Sequence, residues 1–131
     1  MNDDEHTIRD IIERWAVAAH TGDLMTVASH HAPGIVMFDV PPPENGVRGL
    51  DAYRETWPGF FEWQRRASFD LLSLDVVAGD DVAFAYGLLR CGTPEELTAV
   101  PERRLRLTMG LRKLDGQRTI LHEHHSFTAR D

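Results

Sequence analysis

The segment from Arg103 to Leu114 constrains the fold most, because its side chains alternate strictly between apolar and polar. Its apolar side would carry Leu105, Leu107, Met109 and Leu111, and its polar side Arg104, Arg106, Thr108 and Arg112. A period of two residues is that of a β-strand with one buried face. We therefore predict a long strand over 103–114 in a sheet that is covered on one side.

The remaining segments predict mostly helices first and long strands afterwards. Apolar residues recur at helical spacing over 3–20, and Gly22 is a suitable left-handed end for that helix. Further predicted elements are a helix over 24–30, a strand over 35–40, a helix over 51–64 bent near Pro58, and strands over 68–78, 82–91 and 119–128. We interpret His30 and His31 as the end of the second helix, where a positive charge is favourable. This order is typical of an α+β fold with helices on one face of the sheet.

Length and charge exclude several classes of protein. The 131 residues are expected to form one domain over 1–131. A formal net charge of −7 argues against nonspecific binding to nucleic acid, whose phosphates would be repelled. No apolar run approaches the roughly 20 residues of a membrane helix, and the N-terminus is acidic, without signal-sequence character. We therefore expect a cytoplasmic protein without a membrane segment, in which the lone Cys91 forms no internal disulfide.

Six short segments carry a resemblance to a known family. They are residues 15–24 (WAVAAHTGDL), 35–39 (IVMFD), 48–49 (RG), 79–85 (GDDVAFA), 114–116 (LDG) and 122–126 (HEHHS). With the order of elements, they resemble the nuclear transport factor two-like superfamily, and within it the SnoaL-like and ketosteroid-isomerase-like group. The resemblance implies a cone, in which a strongly curved, mostly antiparallel sheet wraps around three helices and leaves an internal pocket. It also implies a homodimer formed through the outer face of the sheet.

The resemblance also implies which residues line the pocket. They are Trp15, Asp39, Trp57, Phe84, Tyr86, Leu88, Arg90, Leu107, Met109, Leu121, Glu123 and His125. In ketosteroid isomerases an aspartate on a strand is the general base, and a tyrosine and a protonated carboxylic acid form the oxyanion hole. Asp39 matches the base. Trp15 stands in the position of the tyrosine, and the position of the acid falls on Leu107 or Met109.

The last predicted strand carries the densest set of ionisable side chains. Glu123 and His125 are two residues apart and therefore share one face. They could form a second acid/base pair opposite Asp39, or an internal polar network with Arg90 or Tyr86. Asp39 could itself be a base or a turn-forming residue. If Asp39, Glu123 and His125 are acids and bases, we expect a cofactor-independent isomerase, cyclase or dehydratase acting on a small apolar carbonyl or hydroxyl compound. If these residues only satisfy one another, we expect a non-catalytic ligand-binding or dimerisation domain.

His122 and His124 point to the opposite face of the same predicted strand. Their spacing is one that metals accept, but two histidines do not complete the three or four protein ligands of a zinc site. We interpret them as polar residues of the outer face, and we expect neither a metal nor a cofactor.

Overall fold

The computed structural model describes residues 3–130, which form four α-helices and six strands. The helices are α1 (Asp3–Thr21), α2 (Leu24–Ala28), α3 (Leu50–Trp63) and α4 (Pro94–Ala99). The strands are β1 (His31–Phe38), β2 (Val47–Arg48), β3 (Ser68–Ala78), β4 (Val82–Gly92), β5 (Leu105–Leu114) and β6 (Gln117–Ser126). They make one open sheet in the order β2-β1-β6-β5-β4-β3.

The sheet is mostly antiparallel, and its single parallel pair, within residues 3–130, joins β1 to β6. The helices α1 and α3 contribute Trp15, Tyr53 and Trp57 to a core against the inner face of the sheet. The predicted strand over 103–114 supplies Leu105, Leu107, Met109 and Leu111 to this core, as its alternation requires. The α+β cone predicted from the sequence is confirmed, with a sheet that does not close.

Strand β4 presents the opposite face from the one predicted. Phe84, Tyr86 and Leu88 are exposed by 46%, 48% and 41%, whereas Ala83 and Ala85 are buried. Both faces of this strand are apolar, so alternation alone could not choose between them. The structure turns the row that contains Ala83, Ala85 and Leu89 inward, towards the helices, and the row with the aromatic rings outward. The prediction that Phe84, Tyr86, Leu88 and Arg90 line an interior pocket is wrong.

A bulge in β6 changes which residues of that strand face inward. Gly110 pairs with His122, but its neighbour Leu111 pairs with Ile120, so Leu121 is an extra residue on β6. Ile120 is fully buried, whereas Leu121 is only half-buried. Leu121 therefore does not lie on the inner face with Glu123 and His125, and the prediction that it lines the pocket is wrong. The extra residue shifts the alternation of side chains by one position, so Glu123 and His125 both point inward.

Two predicted element boundaries also differ from the structure. Strand β1 begins at His31, four residues before the predicted start, and it runs through Pro33 and Gly34 with an irregular register against β6. His31 is thus a buried strand residue and not the end of a helix. Helix α4 lies between the predicted strands over 82–91 and 103–114, where no helix was predicted, and its capping box joins Thr93 and Glu96 reciprocally.

Helix α3 continues through Pro58, although proline removes one helical hydrogen bond. Tyr53 and Trp57, one turn apart, are both buried in the core. Their packing holds the helix on the sheet across the proline. Among the helices of residues 3–130, none has the length and apolar character needed to cross a membrane.

Candidate functional site

The parallel pairing of β1 and β6 brings Asp39 to His125. Met37 pairs with Glu123 and Phe38 with His124, so the next residue along each strand is Asp39 and His125. Asp39 Oδ1 lies 3.3 Å from His125 Nδ1 and accepts a hydrogen bond from the Val40 amide at 2.8 Å. Across residues 3–130, no protein group donates a hydrogen bond to the second oxygen, Oδ2. Asp39 thus presents one free carboxylate oxygen beside an imidazole.

Glu123 lies behind His125 and is the centre of a buried hydrogen-bond network. His125 donates from Nε2 to Glu123 Oε1 over 3.0 Å, and Tyr53 donates from its hydroxyl to Oε2 over 2.6 Å. His31 Nε2 also contacts Oε2, while His31 Nδ1 donates to the Ser29 carbonyl over 2.7 Å. We call His31, Tyr53, Glu123 and His125 the Glu123 network. It satisfies a carboxylate that is 0% exposed, as a buried charge requires.

The Glu123 network sets the protonation of its central pair. Burial opposes the charged form of Glu123, but hydrogen bonds from His125 and His31 outweigh it and lower the pKa of Glu123 to about 2. Burial likewise opposes the charged form of His125, but hydrogen bonds to Asp39 and Glu123 and their charges raise its pKa to about 9. Both nitrogens of His125 face carboxylate oxygens, which only accept. At neutral pH this residue is therefore an imidazolium between two carboxylates.

Trp15 and Tyr53 orient the network from the helical side. Trp15 donates from Nε1 to the Tyr53 hydroxyl over 3.1 Å, which leaves the hydroxyl hydrogen for Glu123. Burial and the Glu123 carboxylate raise the pKa of Tyr53 well above its usual range, so the phenol stays protonated. The Trp15 ring also lies 5.8 Å from the His125 ring. The indole therefore packs against the His125 ring and orients the Tyr53 hydroxyl, which donates to Glu123.

Asp39 and His125 open into a cavity of about 630 Å³. Its walls are mostly apolar and come from the segment after β1, from α3 and from the ends of β4, β5 and β6. The lining residues are Asp39, Val40, Pro41, Pro42, Pro43, Val47, Thr56, Trp57, Gly59, Phe60, Trp63, Phe69, Cys91, Arg103, Leu105, His125 and Phe127. An apolar cavity with a few convergent polar groups is the usual form of a small-molecule site.

Thiolate chemistry and metal binding have less support in this cavity. Burial raises the pKa of Cys91 to about 12, so its side chain is a thiol and not a reactive thiolate at neutral pH. Within residues 3–130, no group of three or more His, Cys, Asp or Glu residues has an arrangement that could hold a metal ion. His122 donates from Nδ1 to the Val36 carbonyl over 2.7 Å, and His124 is exposed.

The predicted site residues fall into three groups in the structure. Asp39, Trp57 and His125 line the cavity, and Glu123 supports His125 from behind. Trp15, Leu107 and Met109 are buried on the inner side but do not reach the cavity wall, where Leu105 takes their place. The third group, on the outer face or at the bulge, lies away from the cavity and comprises Phe84, Tyr86, Leu88, Arg90 and Leu121.

Three polar residues of the site were missed by the sequence analysis. His31 was assigned to the end of the second helix, because the next strand was predicted to begin only at residue 35. Tyr53 falls in the predicted helix over 51–64, but no polar partner was predicted for it, although a buried phenol needs one. Arg103 was counted only as the start of a strand. The signal that could have found His31 is the parallel pairing of β1 and β6, which places this residue beside the inner face of β6.

The fold and the cavity together define a class: α+β cones with a small-molecule-sized cavity between helices and sheet. The chain belongs to the SnoaL-like domain family, whose family model matches residues 8–130. The superfamily predicted from the sequence is thereby confirmed. No curated protein sequence matches the chain.

Solved structures of similar fold include proteins from several bacteria. An NTF2-like protein of unknown function from Pseudomonas putida KT2440 is 32% identical, with a TM-score of 0.81 over 93% of this chain and 84% of that one. An NTF2-like protein with a cystatin-like fold from Novosphingobium aromaticivorans is 15% identical, with a TM-score of 0.76 over 98% and 84%. A ketosteroid isomerase-like protein from Erwinia carotovora atroseptica SCRI1043 is 16% identical, with a TM-score of 0.70 over 99% and 100%. The last two likenesses establish the fold alone.

Proposed function

We propose that this protein is a cofactor-independent isomerase, cyclase or dehydratase that acts on a small apolar carbonyl or hydroxyl compound by general acid/base catalysis. The observation that carries the proposal is the contact between Asp39 and His125 at the wall of a mostly apolar cavity. A carboxylate and an imidazolium side by side can remove one proton and supply another to the same small molecule. Family membership supports a small-molecule ligand.

The proposed roles follow from the free oxygen of Asp39 and from the Nδ1 hydrogen that His125 shares with this carboxylate. The Asp39 carboxylate takes a proton from carbon next to the substrate carbonyl, through the oxygen Oδ2 that no protein group occupies. His125 Nδ1, whose hydrogen faces Asp39 Oδ1 in the structure, exchanges this hydrogen bond for one to the substrate oxygen on which negative charge develops. Glu123 does not line the cavity. It acts as a positioning residue that keeps His125 protonated. In an isomerisation Asp39 returns its proton to another carbon, and in a dehydration His125 protonates the departing hydroxyl.

The test uses exchange of substrate protons with solvent, because every variant of the proposal begins with loss of a proton. The protein is incubated in D₂O with a panel of apolar ketones and β-hydroxy ketones, and deuterium incorporation is followed by mass spectrometry. We expect exchange with at least one compound. Asp39→Asn should slow it about a hundredfold, the lower end of the usual effect of a general base, with binding of the compound nearly unchanged.

The matched control is Asp75→Asn, which removes an exposed carboxylate of β3 and should leave exchange unchanged. Exchange that survives in Asp39→Asn would remove Asp39 as the base. If no panel compound exchanges faster with the protein than without it, the alternative of a non-catalytic ligand-binding or dimerisation domain is favoured. The single domain over 1–131 and the cytoplasmic location stay predictions.

We further propose that the protein forms a homodimer through the outer face of the sheet. An exposed apolar row on β4 supports this: Val82, Phe84, Tyr86 and Leu88 all point outward, and the Phe84 and Tyr86 rings are stacked. Exposed apolar rows of this kind mark interaction surfaces more often than they remain solvated. A second copy of the chain would present the same row and bury it symmetrically.

Leu88→Glu should shift the dimer to the monomer, because pairing two such rows would bury two like charges. Sedimentation equilibrium measures the change. The matched control is Val17→Glu, which places the same charge on the exposed side of α1, where Val17 is 63% exposed. A wild-type protein that stays monomeric at high concentration, or two variants that behave alike, would contradict the proposed interface.

A further inference from the structure

Arg103 brings a cation to the wall of the cavity. It lies just before β5, and its guanidinium carbon is 3.9 Å from the centroid of the Phe127 ring, which also lines the cavity. This stacking holds the flat guanidinium in one orientation. Of the groups on the cavity wall, only Arg103 and His125 carry a positive charge, and His125 is already held between two carboxylates.

The guanidinium of Arg103 has unused hydrogen-bond donors. Its Nε is buried without a partner, and its contact with Glu96, from Nη2 to Oε2 over 3.8 Å, is longer than a hydrogen bond. The other oxygen of Glu96 is occupied by the capping box, where it accepts from the Thr93 amide over 2.9 Å. Within the described part of the chain, no hydrogen bond is donated by this guanidinium. Buried Arg118 differs, since both its Nη atoms donate to backbone carbonyls.

The position of Arg103 relative to His125 limits the size of a molecule that reaches both. Leu107 pairs with His125 across the sheet and lies four residues after Arg103. Four residues of extended chain span at most about 13 Å, so a small molecule can reach both side chains. The wall between the two polar ends includes Leu105, Phe69 and Trp57. A ligand that fits this arrangement has an apolar body, with a polar group at one end and an anion at the other.

We propose that Arg103 forms an anion-binding subsite of the cavity, and that the substrate is an apolar carboxylic acid. Its carboxylate would accept hydrogen bonds from the Arg103 guanidinium, while its carbonyl or hydroxyl reaches Asp39 and His125. Arginine suits this role because its planar fork of donors matches the two oxygens of a carboxylate. The proposal rests on the proposed function for the second end of the substrate, but the anion subsite itself can be tested by binding alone.

The test compares 3-cyclohexylpropionate with 3-cyclohexylpropanol, two probes that share the apolar body and differ in charge. Binding is measured by calorimetry and by the fluorescence of Trp57 and Trp63, which line the cavity. Hydrogen bonds to a charged group are stronger than those between neutral groups, so we expect the propionate to bind at least tenfold more tightly. Arg103→Met keeps an apolar stem. It should remove the preference for the charged probe and leave the binding of 3-cyclohexylpropanol unchanged.

The matched control is Arg104→Met, which removes a neighbouring arginine that does not line the cavity. This variant should keep the preference for 3-cyclohexylpropionate. Equal binding of the two probes by the wild type, or binding of neither at millimolar concentration, would overturn the subsite. An equal loss for both probes in Arg103→Met would show that Arg103 only supports the cavity wall. None of these results depends on turnover, so failure of the subsite and failure of Asp39 as a base are separate outcomes.

Discussion

Glu123→Gln is expected to lower the free energy of unfolding by about 3–5 kcal/mol at pH 6. The substitution keeps the size of the side chain but removes its charge, so the loss does not arise from a cavity. The donors of His125 and Tyr53 then face a neutral amide in a region without solvent. Removal of one partner from a buried charged network is costly because the others remain desolvated. Urea denaturation followed by circular dichroism measures the change.

The matched control for this prediction is Glu102→Gln, an exposed residue outside the network, which should change stability by less than about 0.5 kcal/mol. A double-mutant cycle with His31→Gln adds a second measurement. Because His31 and Glu123 are in direct contact, their effects should be non-additive by about 1–3 kcal/mol. A loss below about 1 kcal/mol in Glu123→Gln would mean that the carboxylate is not a buried, charged partner of the histidines.

The architecture was predictable from the sequence because its signals are periodic. The helical spacing over 3–20 and the alternation over 103–114 each have one buried face, and the structure contains α1 and β5 at those places. Strand β4 has no such asymmetry. Both of its rows are mostly apolar, so the period predicts the strand and leaves its buried face undetermined. Only packing against the helices decides the face.

The candidate site was predictable where it depends on neighbours in sequence. Glu123 and His125 share a face because they are two residues apart, whatever the rest of the sheet does. The parts that were missed depend on pairing between distant strands. His31 joins Glu123 across 92 positions of the chain, and the bulge at Leu121 arises from the register between β5 and β6. Neither has a local signal, since a register belongs to two strands at once.

The stability of the protein is expected to fall as the pH rises from about 6.5 to about 9. The pKa of His125 is about 9 in the folded protein, against an ordinary value of 6.5 in the unfolded chain. Between these values the folded state holds a proton that the unfolded state has released, so raising the pH favours unfolding. The stabilisation is complete below pH 6.5 and is lost as the pH passes about 9. The shift corresponds to a loss on the order of 3 kcal/mol.

Urea denaturation at intervals from pH 6 to pH 9 measures this dependence. At the upper limit the Cys91 thiol, with an ordinary pKa of 9.0, is half-ionised in the unfolded chain and adds about 0.4 kcal/mol to the loss, which the His125 variant retains. His125→Gln should be less stable and should lack most of the slope. His124→Gln, which removes the exposed neighbour on the other face, should keep it. A wild-type stability that is constant or rises over this range would contradict the assignment of an imidazolium to His125.

The same titration connects the stability of the protein to its proposed chemistry. If His125 donates a proton to the substrate, kcat/KM should fall with a midpoint near the pH at which the folded protein loses stability, because one imidazolium determines both. Glu123→Gln removes one of the two carboxylates that raise the pKa of His125, so it should move both midpoints towards neutral pH. A shift of the stability curve without a shift of the rate profile would leave His125 as a structural ion pair and assign the proton donor to another group.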